Sequence, residues 1–495
     1  MFLLGLDIGT SFIKASIIDA RTLVTIASAQ YPESETAIIS LKPGWAEQSP
    51  DMWWAHTIKV IQLLHATGKY DPDQIVAIGI AYQMHGLVLV DAEQKVLRDA
   101  IIWCDSRAVE LGENAGLELG KAVCENNLLN SPGNFTASKL AWVKQYEPGI
   151  YSRLYKMMLP GDFIAMKLTA QITTTSSALS EGIFWDHQKD KLSDDIMQYF
   201  KFNDSIIPEV RPLFSEHGRL QEDIATMLSL KGDIPVTYKA GDQLNNALSL
   251  NVLQPGEVAA TAGTSGVIYT VTDTLIADQF SRINTFAHVN HLPGLKRLGV
   301  LLCINGTGIM NSWIRKLCGD DLSYGLMNSM AAQVSPGSDG LFILPFGNGA
   351  ERMLQNKIVG AHVENIDLNK HSKAHIFRAV QEGIAFAFRY GLDIMRDNGL
   401  NPTIIRAGKS NLFLSDVFLE SFVNTTGIEV ELYDTDGSVG AALGAGIGAG
   451  IFKNPYEPFR NFRPVQKITP TKVDTYENLY QAWKKLLESH LIQTH

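Results

Sequence analysis

Two stretches about half a chain apart carry the same small phrase. Residues 3–19 read LLGLDIGTSFIKASIID, and residues 256–270 read GEVAATAGTSGVIYT. Each runs from small and apolar residues into Gly-Thr-Ser and leaves as a β-branched run, the pattern of strand, tight turn and strand. A turn of Gly, Thr and Ser exposes backbone N–H groups and hydroxyls with little steric cover, so it can cradle phosphate oxygens without a lysine cluster. Either turn alone is equally an ordinary hairpin. Two of them, each opening one half, predict two copies of one α/β unit facing each other across a cleft. One nucleotide would then be held from both sides.

Bulk properties narrow the setting. A chain of 495 residues is long enough for two or three domains. Its 45% hydrophobic and 19% charged residues are those of a globular protein with large cores. A net charge of −10 without a basic block argues against a general nucleic-acid binder. The four cysteines lack metal-ligand or C-x-x-C spacing and read as small core residues in a reducing compartment. The apolar N-terminus lacks a basic lead and is broken by Asp7, so it reads as a first strand and not a signal peptide. Without an apolar run of about 18 residues, no membrane span is expected. The cytoplasm is the expected location.

The pattern along the chain predicts a three-stranded meander, then a helix starting at Ser49-Pro50-Asp51. Two strands joined by Gln83-Met84-His85-Gly86 follow, and AIIWCDSRA adds a buried strand. Region 110–235 reads as helix-rich and irregular, with NSPGNFTASKLAWVKQYEP forming a loop into an amphipathic helix. The second half repeats the grammar. DGSVGAALGAGIGAG, residues 436–450, has small residues at helical spacing and predicts a helix packed tightly on a neighbour.

Several polar residues interrupt this pattern where burial would be costly. Asp7 sits inside an apolar strand, where Mg²⁺ carried by a nucleotide would compensate it and a hairpin-capping role is the alternative. Asp242, after Gly241 at a helix start, reads as a proton acceptor kept ionised by the helix N-terminus, or else as an N-cap. His85 could hydrogen-bond a sugar hydroxyl and Met84 cover its carbon skeleton; a structural role for the histidine is the competing reading. Trp45, Trp53, Trp54, Trp103 and Trp142 are candidates for sugar stacking, most of them expected in the core.

With these residues in view, the chain resembles the FGGY carbohydrate kinases, and within them the xylulokinases, over nearly its whole length. GLDIGTSFIKA, PGWAEQSPDMWW, QMHG, IIWCDSR, NFTASKLAWVKQYEP, AGDQLNNALSL, AGTSGV and DGSVGAALGAGIGAG carry the likeness. The resemblance implies an α/β fold of two ribonuclease-H-like, actin-like ATPase domains closing on ATP and sugar, residues 1–248 with the sugar site and 249–495 with the nucleotide site. It implies Asp242 as the base for the C5 hydroxyl of D-xylulose, with Met84, His85, Asp105 and Gln243 lining the sugar site. Gly9, Thr10, Ser11, Lys14, Gly263, Thr264, Gly308, Gly408 and Asn411 would serve the nucleotide, and Asp7 would serve Mg²⁺. The implied partners are a small sugar and ATP, with a homodimer as an option and neither nucleic acid nor membrane. Rivals are a kinase of another ketose or polyol, and an actin-like nucleotide-binding protein without sugar kinase activity; the latter has no need of QMHG or AGDQLNN. Three departures stand out: Ala407 replaces a glycine in the adenosine turn RAGKSN, Cys104 stands in the middle of the strand end that usually reads Trp-Asn-Asp, and GNGAERMLQN keeps Glu351-Arg352 without the usual Thr-Pro.

Overall fold

A computed structural model describes residues 1–319 and 321–493. Two sheets carry the molecule. The first has five strands: β1 (Phe2–Ile8), β2 (Ile13–Asp19), β3 (Thr25–Tyr31), β4 (Ile75–Tyr82) and β5 (Val236–Gly241), in the order β5-β4-β1-β2-β3. The second has seven. Its strands are β6 (Glu257–Ala262), β7 (Gly266–Thr272), β8 (Asn284–Ala287), β9 (Leu298–Ile304), β12 (Ile404–Gly408), β13 (Val430–Tyr433) and β14 (Gln466–Ile468). A separate hairpin, β10 (Phe342–Phe346) with β11 (Gly360–Glu364), supplies the two numbers between.

The second sheet runs β8-β9-β7-β6-β12-β13-β14. Its middle five strands, read as β13-β12-β6-β7-β9, repeat the first sheet in order and direction. Both go parallel, parallel, antiparallel, antiparallel. The repeated phrase therefore marks a repeated unit, with each Gly-Thr-Ser turn joining the central strand to its antiparallel neighbour.

The helices follow their sequence signals. Pro50 opens α1 (Pro50–Ala66) at its first turn, where a missing N–H costs nothing. The other helices used below are α2 (Thr136–Tyr146), α3 (Asp242–Ser249), α4 (Gly308–Cys318), α5 (Lys373–Asp397), α6 (Gly437–Gly448) and α7 (Val473–Gln493). Helix α2 is not amphipathic as its sequence suggested: every residue from Thr136 to Val143 is buried, because protein surrounds it on all sides. The strand expected in AIIWCDSRA is only Ala100–Ile101, and the chain then turns outward so that Trp103 and Cys104 are exposed. Of the four cysteines, all free, Cys124 alone is fully in the core.

Helix α6 leaves the second sheet and lies across the first, against β1, β4 and β5. Glycines permit that approach. A Cβ on Gly5 would sit 1.9 Å from the Ser438 carbonyl oxygen, and one on Gly79 2.0 Å from that of Ala441. Gly5 and Gly79 are register partners, so together they flatten the sheet under the helix. From the other side, a Cβ on Gly444 would meet the Tyr238 ring at 2.5 Å. The expected close-packed helix is present, and its neighbour is the sheet of the opposite half.

Candidate active site

The repeat brings equivalent strand ends to one place. Asp7 lies near the end of β1, opposite Lys14 in register. Asp242 is the first residue of α3, directly after β5; Gly241 occupies the capping position, so Asp242 is not the cap. Asp436 caps α6, accepting from the backbone N–H groups of Ser438 and Val439 at 2.9 and 3.1 Å. A Cβ on Gly437 would lie 2.3 Å from Asp7 Oδ2, which sets that carboxylate against the start of α6.

Burial, reinforced by the negative charge of Asp436 and opposed by Lys14, raises the Asp7 pKa to about 6. Burial and then the charge of Asp7 raise Asp242 to about 7, against hydrogen bonds from Gln243. The expectation that the helix start keeps Asp242 ionised is therefore corrected: burial and a neighbouring carboxylate outweigh the helix N-terminus. Carboxylates repelling one another with only oxygen donors to offer fit a hard divalent cation, which would offset their mutual repulsion and leave the larger effect of burial in place.

On the first-sheet side, the QMHG segment abuts Asp242. A Cβ on Gly241 would lie 2.6 Å from Met84 Cγ and 2.7 Å from Glu181 Oε2, so the glycine lets both approach the start of α3. His85 has left-handed backbone (φ 61°). Its Nδ1 donates to the Glu181 carbonyl at 2.9 Å, since a carbonyl can only accept, leaving Nε2 as an acceptor. Burial, with the Lys139 charge, drops the His85 pKa to about 3. The ring is thus a neutral acceptor packed against Phe135 and Phe286, at centroid distances of 4.9 and 5.4 Å. Gln243 Oε1 is buried without a hydrogen-bond partner among the described residues.

Asp105 goes elsewhere. It is fully buried, and its carboxylate accepts from Arg107 and, at 2.6 Å, from the Ala46 backbone N–H. An inward ion pair satisfies its carboxylate, which braces the turn below Trp103. The residue that does reach the cleft is Trp103, 51% exposed, with Nε1 donating to Thr10 Oγ1 at 3.0 Å. Thr10 Oγ1 in turn donates to Gln83 Oε1 at 3.1 Å, and its carbonyl accepts from Gln48 at 2.8 Å. Gly9 closes this first hairpin through its N–H to the Phe12 carbonyl at 3.1 Å, beside Ser11.

The second hairpin opens onto a cavity of about 440 Å³. Gly263, Thr264, Gly308 and Asn411 line it together with Tyr324 and Asn328, which the sequence did not single out. Gly308 N–H donates to the Gly263 carbonyl at 3.0 Å, fastening the start of α4 to the hairpin. A Cβ on Gly308 would meet that carbonyl oxygen at 2.2 Å, whereas one on Gly263 would find its nearest atom at 3.6 Å. Gly408 ends β12 just before the turn, where Asn411 takes left-handed backbone (φ 54°). Asparagine tolerates that region, and buried Ala407 lies within the strand, so the altered turn closes without a further glycine.

Two supporting groups gave only faint signals. Lys139 is fully buried, and its ammonium donates to the carbonyls of His85 and Ile102 at 2.9 and 3.0 Å, tying the QMHG turn to the segment before Trp103. A lysine amid the apolar pattern of α2 was the one available clue. Glu351 is fully buried and accepts from the N–H groups of Asn305 and Gly306 at 3.0 and 2.7 Å, bracing the turn before α4.

Comparison with known proteins decides the family. Residues 2–249 match the N-terminal domain of the FGGY family of carbohydrate kinases, and residues 258–451 match its C-terminal domain. The chain belongs to this family. It is therefore a phosphotransferase enzyme, and kinases of this family take ATP as phosphate donor. Among curated relatives, xylulose kinase of Lactococcus lactis is 29% identical over 99% of this chain and 97% of that protein. Xylulose kinase of Escherichia coli is 28% identical over 91% of this chain and 90% of its own. A crystal structure of xylulose kinase from Rhodospirillum rubrum superposes with a TM-score of 0.86 at 25% identity, over 99% of each chain. Among the described residues, no helix of this FGGY kinase is long and apolar enough to cross a membrane.

Proposed function

We propose that this kinase transfers the γ-phosphoryl group of ATP to the C5 hydroxyl of D-xylulose, giving D-xylulose 5-phosphate, with Asp242 as the base. The observation that carries the reading is the place of Asp242. It follows β5 directly, beside Met84 and the His85 turn, with a pKa raised to about 7. A base works best when its proton affinity lies near the working pH, and burial beside Asp7 brings Asp242 there.

The remaining roles follow from the chain's own groups. Met84 covers the carbon skeleton of the sugar, while His85 Nε2, unprotonated, accepts from a hydroxyl. Gln243 Oε1, buried and without a partner among the described residues, is a second acceptor for the substrate. Exposed Trp103 offers an apolar face at the rim. Gly263, Thr264 and Gly308 present backbone to the phosphates, and Asn411 and Gly408 border the nucleoside. Mg²⁺, when bound, supplies charge neutralisation on the phosphate oxygens, and Asp7 is the carboxylate suited to hold it directly or through water. Asp242 then takes the hydroxyl proton as the bond to phosphorus forms.

The relatives named above support xylulose as the sugar. A coupled ADP-release assay across ketoses and polyols tests the assignment. D-xylulose is expected to give the highest kcat/KM, with little ATP turnover in its absence. A higher value for another sugar would reassign the substrate, and a basal ATPase rate indifferent to every sugar would remove the kinase reading.

A further inference from the structure

The second half carries a cluster of ligand-type side chains that phosphoryl transfer does not use. His362 and Glu364 are two residues apart on β11 and so share one face of that strand. His490, near the end of α7, closes over them: its Nε2 lies 2.9 Å from Glu364 Oε1. Its ring stacks on that of His362, with centroids 3.8 Å apart and planes 26° apart. One ring nitrogen from each histidine and one carboxylate oxygen all lie within 4.8 Å of one another. Lys357 fastens the same end of the helix through a bond to the Leu491 carbonyl at 3.1 Å.

We propose that His362, Glu364 and His490 form a binding site for a divalent transition-metal ion of the zinc type. Two imidazoles and one carboxylate make a borderline donor set suited to zinc, with water completing a tetrahedron. His362 already has the orienting bond such ligands use. Its Nε2 donates to the Val359 carbonyl at 2.9 Å, which fixes the ring and leaves the lone pair on Nδ1. Donors around one zinc ion sit about 3.3 Å apart, so a small rotation of half-buried side chains completes the site. The bound ion ties the last turns of α7 to β11.

The test uses untagged full-length protein, stripped with a chelator and then held in excess Mg²⁺ so that the cleft carboxylates are covered. Zn²⁺ is titrated against a chromophoric competitor, and Tm is followed in parallel. Wild type is expected to bind one equivalent and to gain Tm on binding. His362→Ala and, separately, His490→Gln should each weaken binding by about 10–100-fold or more, the loss caused by removing even an orienting partner. Both should lose the zinc-dependent gain in Tm, while Asp242→Asn keeps it. Equal zinc binding by wild type and both variants would overturn the proposal. So would no uptake by wild type, in which case the cluster is an ion pair with a stacked ring and nothing more.

Discussion

The two Gly-Thr-Ser hairpins share sequence and topology but not surroundings. At the first, the Thr10 hydroxyl and carbonyl are engaged by Gln83, Trp103 and Gln48, and a Cβ on Gly9 would meet the Phe12 carbonyl at 2.8 Å. At the second, Thr264 and Ser265 are exposed and the turn faces a cavity of about 440 Å³. The first is tied into the wall beside QMHG; the second is held to α4 through the Gly263 and Thr264 carbonyls, while its side chains stay exposed toward the cavity. A duplicated unit thus diverged through what packs against its turn, not through the turn.

Changing the base proposed between them should have the largest effect. Asp242→Asn keeps the size of the side chain but cannot take a proton, so kcat is expected to fall by on the order of 10²–10⁴. Tm of the ligand-free protein should be unchanged or slightly higher at neutral pH, because the repulsion with Asp7 is removed. Single-turnover kinetics and calorimetry would check both. Retention of most of the sugar-dependent kcat would place the chemistry elsewhere and leave the hairpins without a shared purpose.

Gly263→Val is the direct probe of the open turn. A Cβ there would make only ordinary contacts, with Asn411 Nδ2 at 3.6 Å and the Ser265 carbonyl at 3.8 Å, and its φ is not left-handed, so the variant should fold. The new side chain would stand in the cavity and raise the KM for ATP by on the order of tenfold, about 1.4 kcal/mol, or more. A normal ATP KM would make the second hairpin as closed in function as the first.

Thr10→Val should sharpen the contrast. It removes the hydroxyl shared by Gln83 and Trp103 without changing shape, so kcat/KM for the sugar should drop about two- to tenfold, the worth of roughly one hydrogen bond. The Thr10 hydroxyl is taken up by Gln83 and Trp103 and not offered to the phosphates as its sequence suggested, so ATP affinity should barely move, and Thr264→Val should show the opposite bias. Equal effects of the two changes on both substrates would erase the distinction.

A separate prediction concerns pH and is read in stability, not in turnover. Asp7 and Asp242 have folded pKa values raised to about 6 and about 7 from an ordinary 3.8. Between those limits the folded state keeps protons that the unfolded chain releases, so folding is favoured at the acid end of this window. From this pair alone, stability of the ligand-free protein should decline as pH rises from about 4 to about 7 and then level. Asp242→Asn should flatten the upper part of that decline in denaturant titrations. The two groups interact, so the titration belongs to the pair.

Much of this frame was legible in the sequence because it is local. A turn of small residues between apolar runs, a proline at a helix start and a stripe of glycines each state their geometry over a few positions. What was not legible depends on partners distant in the chain. Nothing in CDSR says that Asp105 turns inward to Arg107 and Ala46 while Trp103 turns out. The raised pKa of Asp242 needs Asp7, more than two hundred residues earlier. The tie from Lys139 to the His85 turn likewise exists only once α2 is buried.

Helix α6 also bears on how the molecule is made. The first sheet is nearly complete in sequence when β5 ends at Gly241, yet the face over Gly5 and Gly79 is covered by residues 437–448. On the ribosome, that face has no native cover until residues 437–448 have been synthesised. The first half must therefore wait, with a glycine-floored apolar surface uncovered, for a segment encoded well beyond its own last strand. Synthesis order and folding order are decoupled, and a chain truncated before residue 437 would lose part of the half made first.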